Sequence, residues 1–555
     1  MTSEKMKRTC AVSGQEFEIT DADLEFYQKI EVPPPTLCPD ERRRRRLAWR
    51  NEHHLYRRKC DGTGQSIVSV FPPGVSFPVF KNTYWWGDDW DGLEYGRDVD
   101  FSRDFFPQFF ELYAVVPQIA AMNDHGVKSE NCEYCQDFSN GKNCYLVSGS
   151  WFIRDSLYSS NCNHSVDLVD CTSVNLKCEL VYESINCQHL YECAFLENCE
   201  HCSNCWFGLD LKGCKNCFGC VNLRQKEFHI FNEPHTREEY FQKIKQFDSG
   251  SHTQLENMKA HFAGFAQKFP RKFAQLLHCD NCSGDHQFHG KDCFGFENFD
   301  CQYSRFIDRI DSAEWSYDVI QTGNPRWCCD CVTPDKSWMV VFSNWCWNCK
   351  HMACCDNCHG CEHCFGCVGL KRKKFCIFNK QYSEEEYFGL RKKLVAHMTE
   401  TGEWGELFPI TFSPFPYNET QAFEQYPLSK EAAIARGWKW REDPSSNLNL
   451  QTLNFKIPDH ISEADDRILD QVLVCEDSGK QYKIEPQELK FYRKMNLPLP
   501  RKCPLVRIQE RQRRCNPWKL FDRTCDNCSV PIETSFSPDR LEKVYCEDCF
   551  LGVLN

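Results

Sequence analysis

The chain has 555 residues, a formal net charge of −13, 14% aromatic residues and 40 cysteines. This length exceeds what one compact core supports and predicts roughly three to five domains, and the aromatic content excludes a globally disordered chain. The chain lacks an apolar run of about 18 residues and begins with polar, charged residues, which predicts neither a membrane-spanning helix nor a secretory signal peptide.

The cysteine pattern is dominated by C-x-x-C spacing. In a chain without an export signal, this spacing more often indicates metal binding than disulfide bonds. We therefore expect a cytoplasmic protein with reduced thiols. For any single cysteine in the middle of the chain, the alternative is a small apolar core residue.

The N-terminal segment predicts a small α+β module. It contains a strand at residues 17–19, a helix that carries Phe26-Tyr27, a proline turn and an arginine-rich stretch. The same pattern returns without gaps 465 residues later, where Cys475 corresponds to Cys10 and Cys525 to Cys60. The chain is therefore predicted to carry one copy of a duplicated module of about 65 residues at each end.

The N-terminal copy of the module is predicted to be a zinc ribbon that has lost its metal-binding site. Thr63 stands where the C-terminal copy has Cys528, and residues 81–84 supply no second C-x-x-C pair. The alternative is a three-cysteine site made of Cys10, Cys38 and Cys60.

Between the two modules, a twelve-residue repeat predicts a β-solenoid. Apolar residues recur at this step in stacked columns, one of them running from Tyr145 through Leu157, Val169 and Val181. Asp170 is the one polar member of the next column. Each coil is expected to contain two or three very short strands, with cysteine, valine and alanine filling a narrow interior.

The solenoid occurs twice. The segment from Cys217 to Asn232 recurs as Cys364 to Asn379, and both copies lead into a sequence with capping-box spacing, which predicts a helix at the end of each solenoid. The predicted fold is thus mainly β with some α: two cysteine-rich short-coil β-solenoids, each ending in a helix, flanked by the duplicated zinc-ribbon-like modules. The predicted domains are 1–75 N-terminal basic module, 76–124 aromatic linker region, 125–250 solenoid copy 1 with its helix, 251–277 helical linker, 278–400 solenoid copy 2 with its helix, 401–465 Pro- and aromatic-rich clamp, and 466–555 C-terminal module.

The solenoid cysteines form a second set of candidate metal ligands. The twelve-residue step would stack C-x-x-C pairs on adjacent coils, within reach of a shared tetrahedral ion. The alternative is a cysteine ladder that packs as apolar core. The candidates are Cys132, Cys135, Cys202, Cys205, Cys214, Cys217, Cys279, Cys282, Cys346, Cys349, Cys358 and Cys361.

The strongest metal site lies at the C-terminal end. Cys525-x2-Cys528 is followed, after seventeen residues, by Cys546-x2-Cys549. Two such pairs can present four thiolates to Zn²⁺ at about 2.3 Å in a tetrahedron. Because protein ligands fill every position, this site is predicted to be structural rather than catalytic.

This terminal spacing resembles the bacterial zinc-ribbon domain named for it, over about thirty residues, and the resemblance implies the same four ligands. More broadly, the chain is similar over nearly its whole length to an uncharacterised cysteine-rich family of bacterial candidate-phylum genomes. The similarity lies in Cys217-Phe-Gly-Cys220, in residues 401–406 and 413–419, and in the order of motifs in both end modules. In such relatives a second cysteine commonly follows the N-terminal Cys-Pro, but Glu41 stands there here. The resemblance supports the domain plan and implies no activity.

Both ends of this acidic chain are basic. Residues 42–59 hold nine Lys/Arg and one acid, and residues 490–523 hold eleven and two. We therefore expect the end modules to bind nucleic acid, RNA or a ribonucleoprotein, through phosphate contacts. The candidate contacts are Arg42, Arg43, Arg44, Arg45, Arg46, Arg57, Arg58, Arg507, Arg511, Arg513, Arg514 and Arg523.

Two other functions remain open. One is a scaffold for protein partners without nucleic acid, and the other is a thiol-based redox or metal-storage protein. The sequence contains no nucleotide-binding loop, zinc-protease motif or nucleophile elbow, so we expect no enzyme, no membrane partner and no small-molecule substrate.

Overall fold

The computed structural model describes residues 6–172, 179–182, 191–197, 202–299, 305–311, 320–323, 329, 336–442 and 455–554. The chain divides into two compact units, each built from two separate stretches. Unit 1 contains Met1–Met122 and Ala274–Arg441, and unit 2 contains Asn123–Phe273 and Glu442–Asn555. Each terminal module therefore shares a unit with the solenoid that is more distant from it in sequence.

The N-terminal module of unit 1 is built from antiparallel hairpins and short helices. Strand β1 pairs with β2, β3 with β4, and β5 runs parallel to β6. Its elements are β1 (Met6–Thr9), β2 (Glu16–Ile19), α1 (Asp21–Lys29), α2 (Pro39–Leu47), β3 (Tyr56–Lys59), β4 (Ser66–Ser69), β5 (Val79–Phe80), α3 (Asn82–Trp86), α4 (Phe105–Tyr113) and β6 (Gln118–Ile119).

The first solenoid, in unit 2, is a stack of parallel strands closed by a hairpin and a helix. As predicted, Thr236 and Glu239 form the capping box that starts α5. The elements are β7 (Gln136–Ser139), β8 (Ser148–Trp151), β9 (Val166–Val169), β10 (Glu179–Tyr182), β11 (Tyr191–Glu197), β12 (Trp206–Leu209), β13 (Lys215–Phe218), β14 (Glu227–Ile230), β15 (Glu233–Pro234), α5 (Arg237–Ile244), α6 (His252–Ala266) and β16 (Arg271–Lys272).

The second solenoid, in unit 1, repeats this plan, and Ser383 with Glu386 caps its closing helix. Two short helices follow in the Pro- and aromatic-rich segment. The elements are β17 (Leu276–Leu277), β18 (Ser283–Phe288), β19 (Phe294–Phe299), β20 (Arg305–Asp311), β21 (Ile320–Gly323), β22 (Trp338–Val341), β23 (Lys350–Ala353), β24 (Glu362–Phe365), β25 (Lys374–Ile377), β26 (Lys380–Gln381), α7 (Glu384–Glu400), α8 (Gln421–Gln425) and α9 (Lys430–Ala435).

The C-terminal module of unit 2 reproduces the N-terminal one, which confirms the duplication. Its last strand runs parallel to β16, as β5 does to β6. The elements are β27 (Leu473–Val474), β28 (Gln481–Tyr482), α10 (Pro486–Met495), α11 (Pro504–Arg514), β29 (Phe521–Thr524), β30 (Pro531–Thr534), β31 (Val544–Tyr545) and α12 (Glu547–Leu551). Within the described ranges, none of the helices has both the length and the apolar character needed to span a bilayer.

The solenoid coils have four sides, not the two or three strands predicted from the sequence. From Lys336 to Phe378, every third residue has a positive φ, and this includes the glycines at these positions, such as Gly360. Bridges between residues twelve apart recur at the same three-residue interval, as at Lys142–Arg154 and Tyr145–Leu157. A twelve-residue coil that turns at every third residue has four three-residue sides. The sequence columns showed the coil length but not this finer period.

The residue after each turn faces the coil interior, and hydrogen bonds explain why cysteine suits this place. Cys349 Sγ–H donates to the Trp347 carbonyl at 3.3 Å, and the backbone N–H of Cys361, one coil on, donates to Cys349 Sγ at 3.4 Å. Ser343 makes the same pair of contacts through its hydroxyl. A small side chain that both fills space and hydrogen-bonds therefore satisfies the narrow core.

The coil length is not constant. Val169 pairs with Tyr182, a step of thirteen, and Ser283 pairs with Phe294, a step of eleven. The predicted column through Val169 and Val181 is therefore wrong beyond Val169, because one extra residue shifts the register. Up to Val169 the column also does not face the interior, because Leu157 and Val169, with Tyr182, belong to the apolar cluster that the first solenoid shares with the C-terminal module. Further along the chain, Cys205 and Cys217 at the same twelve-residue step do line the interior.

Candidate metal centre

The C-terminal ribbon brings its four cysteines together. Cys525 follows β29 and starts a tight turn, closed by the Ser529 N–H on the Cys525 carbonyl at 2.9 Å, while Cys546 is the N-cap residue of α12. The four Sγ atoms all lie within 4.8 Å of one another, and Cys528 Sγ is 3.7 Å from Cys546 Sγ. This cluster could hold a metal ion.

The donor set fits a tetrahedral ion. Four sulfurs at about 2.3 Å from a central ion lie roughly 3.8 Å apart, close to the observed 3.7 Å. N–H groups already point at the sulfurs: the Cys546 N–H lies 3.3 Å from Cys525 Sγ and Asn527 Nδ2 lies 3.2 Å from Cys549 Sγ. Burial raises the pKa of Cys525, but backbone N–H groups of Cys528 and Cys546 outweigh this and lower that pKa to about 6. Cys525 therefore favours the thiolate, the form that binds metal. N–H groups of Cys549 and Asn527 act in the same direction on Cys546 and Cys549, respectively, but burial and hydrogen bonds shared with neighbouring cysteines raise the pKa of both thiols.

The N-terminal ribbon keeps the same framework without the ligands. The Lys81 N–H donates to Cys60 Sγ at 3.3 Å, just as Cys546 does to Cys525. Asp61 accepts from the Val79 N–H as Asp526 accepts from Val544. At a constant offset of 465, the counterparts of the four cysteines are Cys60, Thr63, Lys81 and Tyr84. The duplication therefore extends past residue 75.

Tyr84 fills the space that a metal centre would take. Its ring packs edge-on against Phe80 at 5.0 Å, and a Cβ atom at Gly62 would lie 2.4 Å from it. Lys81 turns outward, and its Nζ donates to Gln65 at 2.7 Å. The ribbon is closed by an aromatic ring in place of four sulfurs.

The alternative three-cysteine site does not assemble. Cys10 and Cys38 share one small apolar cluster, with Ser13 Oγ 3.7 Å from Cys38 Sγ, whereas Cys60 belongs to the main apolar cluster of unit 1.

The solenoid cysteines line the coil interiors. Cys132, Cys135, Cys202, Cys205, Cys214, Cys217, Cys346, Cys349, Cys358 and Cys361 are buried, and Cys279 and Cys282 are half-buried. In the part of the chain that the structure describes, Cys525, Cys528, Cys546 and Cys549 are the one group of three or more His, Cys, Asp or Glu side chains close enough to hold a metal ion. The solenoid thiols bond to backbone groups instead, as the core alternative predicts.

The arginines proposed as phosphate contacts lie in three environments. Arg42, Arg43, Arg46, Arg507 and Arg511 are buried. Arg44, Arg45, Arg58 and Arg523 are half-buried and each is paired with a carboxylate. Arg57, Arg513 and Arg514 are exposed. The arginine-rich helices α2 and α11 therefore do not present a continuous basic surface.

In unit 2 the buried arginines hold the C-terminal module on the first solenoid. Asp170 accepts from Arg507 Nη1 at 2.6 Å and from Arg511 Nη1 at 2.9 Å. Arg507 Nη2 also donates to Glu488 at 3.1 Å, and the Tyr158 hydroxyl donates to Glu488 at 2.9 Å. Burial raises the pKa of Glu488, although the nearby Arg507 opposes that rise.

Asp170 and Glu488 are the polar residues that sequence reasoning missed. The available signal was that Asp170 interrupts an otherwise apolar column. A buried carboxylate in such a column requires a buried cationic partner, and α11 supplies two.

Comparisons of this chain with protein-family models, curated proteins and solved structures find no match.

Proposed function

We propose that this protein is a non-catalytic cytoplasmic scaffold that binds other proteins and whose C-terminal ribbon is stabilised by one Zn²⁺. The observation that carries this proposal is the filled interior of the described coils, which leaves their outer sides and the solenoid ends for binding. Side chains such as Cys349, Cys358 and Cys364 are 0% exposed and their thiols bond to carbonyl groups.

The metal assignment rests on ligand chemistry. Four thiolates in a closed tetrahedral shell are typical of structural zinc, which adds folding free energy and leaves no position open for a substrate. When bound, the ion would neutralise the thiolates of Cys525, Cys528, Cys546 and Cys549 and fix β29 and β30 against α12.

The cytoplasmic location is supported by the state of the thiols. The cysteines whose side chains the structure describes form no disulfide with one another, although many of them lie close together. A reducing compartment is where such a protein keeps its fold.

The burial and the ion pairs of the arginines favour a protein partner over nucleic acid. Phosphate binding needs several guanidinium groups on one accessible surface. In this chain Arg46 is 1% exposed, and Arg507 and Arg511 neutralise Asp170 and Glu488 in unit 2.

Nucleic-acid binding is the second candidate, favoured by the exposed Arg57, Arg513 and Arg514. These residues would supply only a few phosphate contacts, so the affinity would be modest and strongly dependent on salt.

A titration of the full-length protein with a structured RNA over a range of salt concentrations tests the choice. We expect no saturable binding at about 0.1 M salt. If binding occurs, and its salt dependence is reduced by Arg57→Gln with Arg513→Gln and Arg514→Gln but not by the buried-site variant Arg42→Gln, the protein scaffold is wrong and the second candidate is correct.

A further inference from the structure

Unit 2 contains an open cleft at the closed end of the first solenoid. The cleft has a volume of about 580 Å³ and lies between the β14–β15 hairpin and helices α5 and α6. Ligand-binding clefts commonly have volumes of about 300–1,000 Å³, so this one can accept several residues of an extended peptide.

The lining combines aromatic rings with cations. Phe231 packs edge-on against Phe265 at 5.1 Å and against His261 at 4.9 Å, which forms an aromatic floor. Lys243 Nζ lies 3.5 Å from His235 Nε2, and Lys268 Nζ lies 5.7 Å from the Phe265 ring centroid. Glu233 is the one acidic residue that lines the cleft. This chemistry suits a ligand with both carboxylate and aromatic groups.

The corresponding place in unit 1 is occupied by the chain itself. The repeat places Phe378 at the position of Phe231 and Lys380 at that of Glu233. There the Arg97 N–H donates to the Phe378 carbonyl at 2.9 Å, Asp98 pairs with Lys380 at 2.6 Å, and the Phe105 ring stacks on Phe378 at 5.2 Å. Asp98, in an extended stretch, and Phe105, the first residue of α4, thus cover the end of the second solenoid.

The hairpin residues under this cover in unit 1 are more deeply buried than their counterparts in unit 2. In unit 1, Ile377, Phe378 and Asn379 are 0%, 1% and 0% exposed. Their counterparts in unit 2, residues 230–232, are all half-buried. The same hairpin is therefore sealed in one copy and open in the other.

We propose that the cleft of unit 2 binds an acidic segment of a partner protein that carries aspartate and phenylalanine. The segment lies over Phe231 and Phe265, and its carboxylates contact Lys243, His235 and Lys268. This inference rests on the proposed role in protein binding and identifies one surface for it.

The probe is a fluorescently labelled peptide with the sequence of residues 98–106, which covers the counterpart site in unit 1. Its binding to the full-length protein is measured by fluorescence anisotropy. We expect saturable binding with a dissociation constant of about 10–100 μM, as for a transient peptide contact, and at least tenfold weaker binding when the aspartates of the peptide are replaced by asparagine.

Gly264 offers a way to block the cleft without disturbing the fold. A Cβ atom at this position in α6 would meet no described atom within 4 Å, and the same is true of Gly389 in α7. Gly264→Leu should therefore fill the cleft and weaken peptide binding at least tenfold, while Gly389→Leu should not change it. Lys243→Glu should weaken binding about tenfold, and Lys245→Glu, the same change at the residue that follows α5 and does not line the cleft, should have little effect.

Two results would overturn the proposal: no saturable binding up to about 1 mM peptide, or binding that Gly264→Leu leaves unchanged. Displacement of the peptide by structured RNA in the wild type, together with direct RNA binding that Gly264→Leu weakens at least tenfold, would assign the cleft to nucleic acid instead. In Gly264→Leu the cleft is blocked, so the RNA titration of this variant reports on the exposed arginines alone. The absence of peptide binding in the cleft is therefore distinguishable from an error in the proposed scaffold function.

Discussion

The two terminal modules share one framework but are stabilised differently. In unit 2 the ribbon gathers four cysteines, and its module docks on the first solenoid through Asp170, Glu488 and two arginines. In unit 1 the ribbon is closed by Tyr84, and its module docks on the second solenoid through packed rings, such as Trp86 on His359, together with ion pairs such as Asp91–Lys373. The difference teaches that a duplicated fold can replace a four-cysteine cluster with aromatic packing while the N–H contacts to the first cysteine of its ribbon, Cys60 or Cys525, stay the same.

Removing one metal ligand should have the largest effect. Structural zinc contributes apparent binding free energies of about 10–16 kcal/mol, and three thiolates hold the ion far less tightly than four. We expect Cys528→Ser to abolish the protection of residues 521–551 against hydrogen exchange, and Thr63→Ser, at the matching position of unit 1, to change nothing. Unchanged protection in Cys528→Ser would show that the ribbon does not depend on metal.

Breaking the charged contact of unit 2 should have the next largest effect. Asp170→Asn would leave Arg507 and Arg511 buried with too little negative charge, at a cost of about 3–5 kcal/mol in unfolding free energy. Asparagine tolerates the positive φ of residue 170, so the backbone is kept. The matched control is Asp167→Asn, which removes only a partly exposed pair with Lys494 and should cost less than about 1 kcal/mol in the same denaturant titration.

The aromatic contact of unit 1 should respond to acid. His359 lies against Trp86 at 4.7 Å, and burial lowers its pKa to about 3. Because the folded pKa lies below the unfolded value near 6.5, the stabilisation is complete above that value and is lost as pH falls toward 3. Hydrogen exchange in residues 338–365 should report a loss of about 2 kcal/mol between pH 6.5 and 5. His359→Phe should remove this pH dependence, and a wild-type profile that stays flat would contradict the burial of a neutral ring.

Truncating the ring that closes the N-terminal ribbon should have the smallest effect. Tyr84 is only half-buried, so Tyr84→Ala should cost about 2 kcal/mol, less than a fully buried ring. Tyr84→Phe keeps the packing on Phe80 and should cost less than about 1 kcal/mol. Equal losses for both variants in thermal unfolding would show that the hydroxyl, not the ring, closes this ribbon.

The sequence predicted most of the framework and the four-cysteine cluster. The offset of 465 residues identified both modules, and the spacing of Cys525, Cys528, Cys546 and Cys549 identified the cluster, because both are local patterns. The four-sided coil was missed because backbone dihedrals, not hydrophobicity, define its three-residue period. The burial of Arg507 was missed because a charge run shows its composition but not the carboxylates, here Asp170 and Glu488, that other segments bring to it.

The metal content of the wild-type protein tests the central claim most directly. Elemental analysis of protein purified without added metal should find one zinc per chain, and none in Cys528→Ser. Several metal ions per chain, retained in Cys528→Ser, would mean that the solenoid thiols bind metal and that the protein is a metal store rather than a zinc-stabilised scaffold.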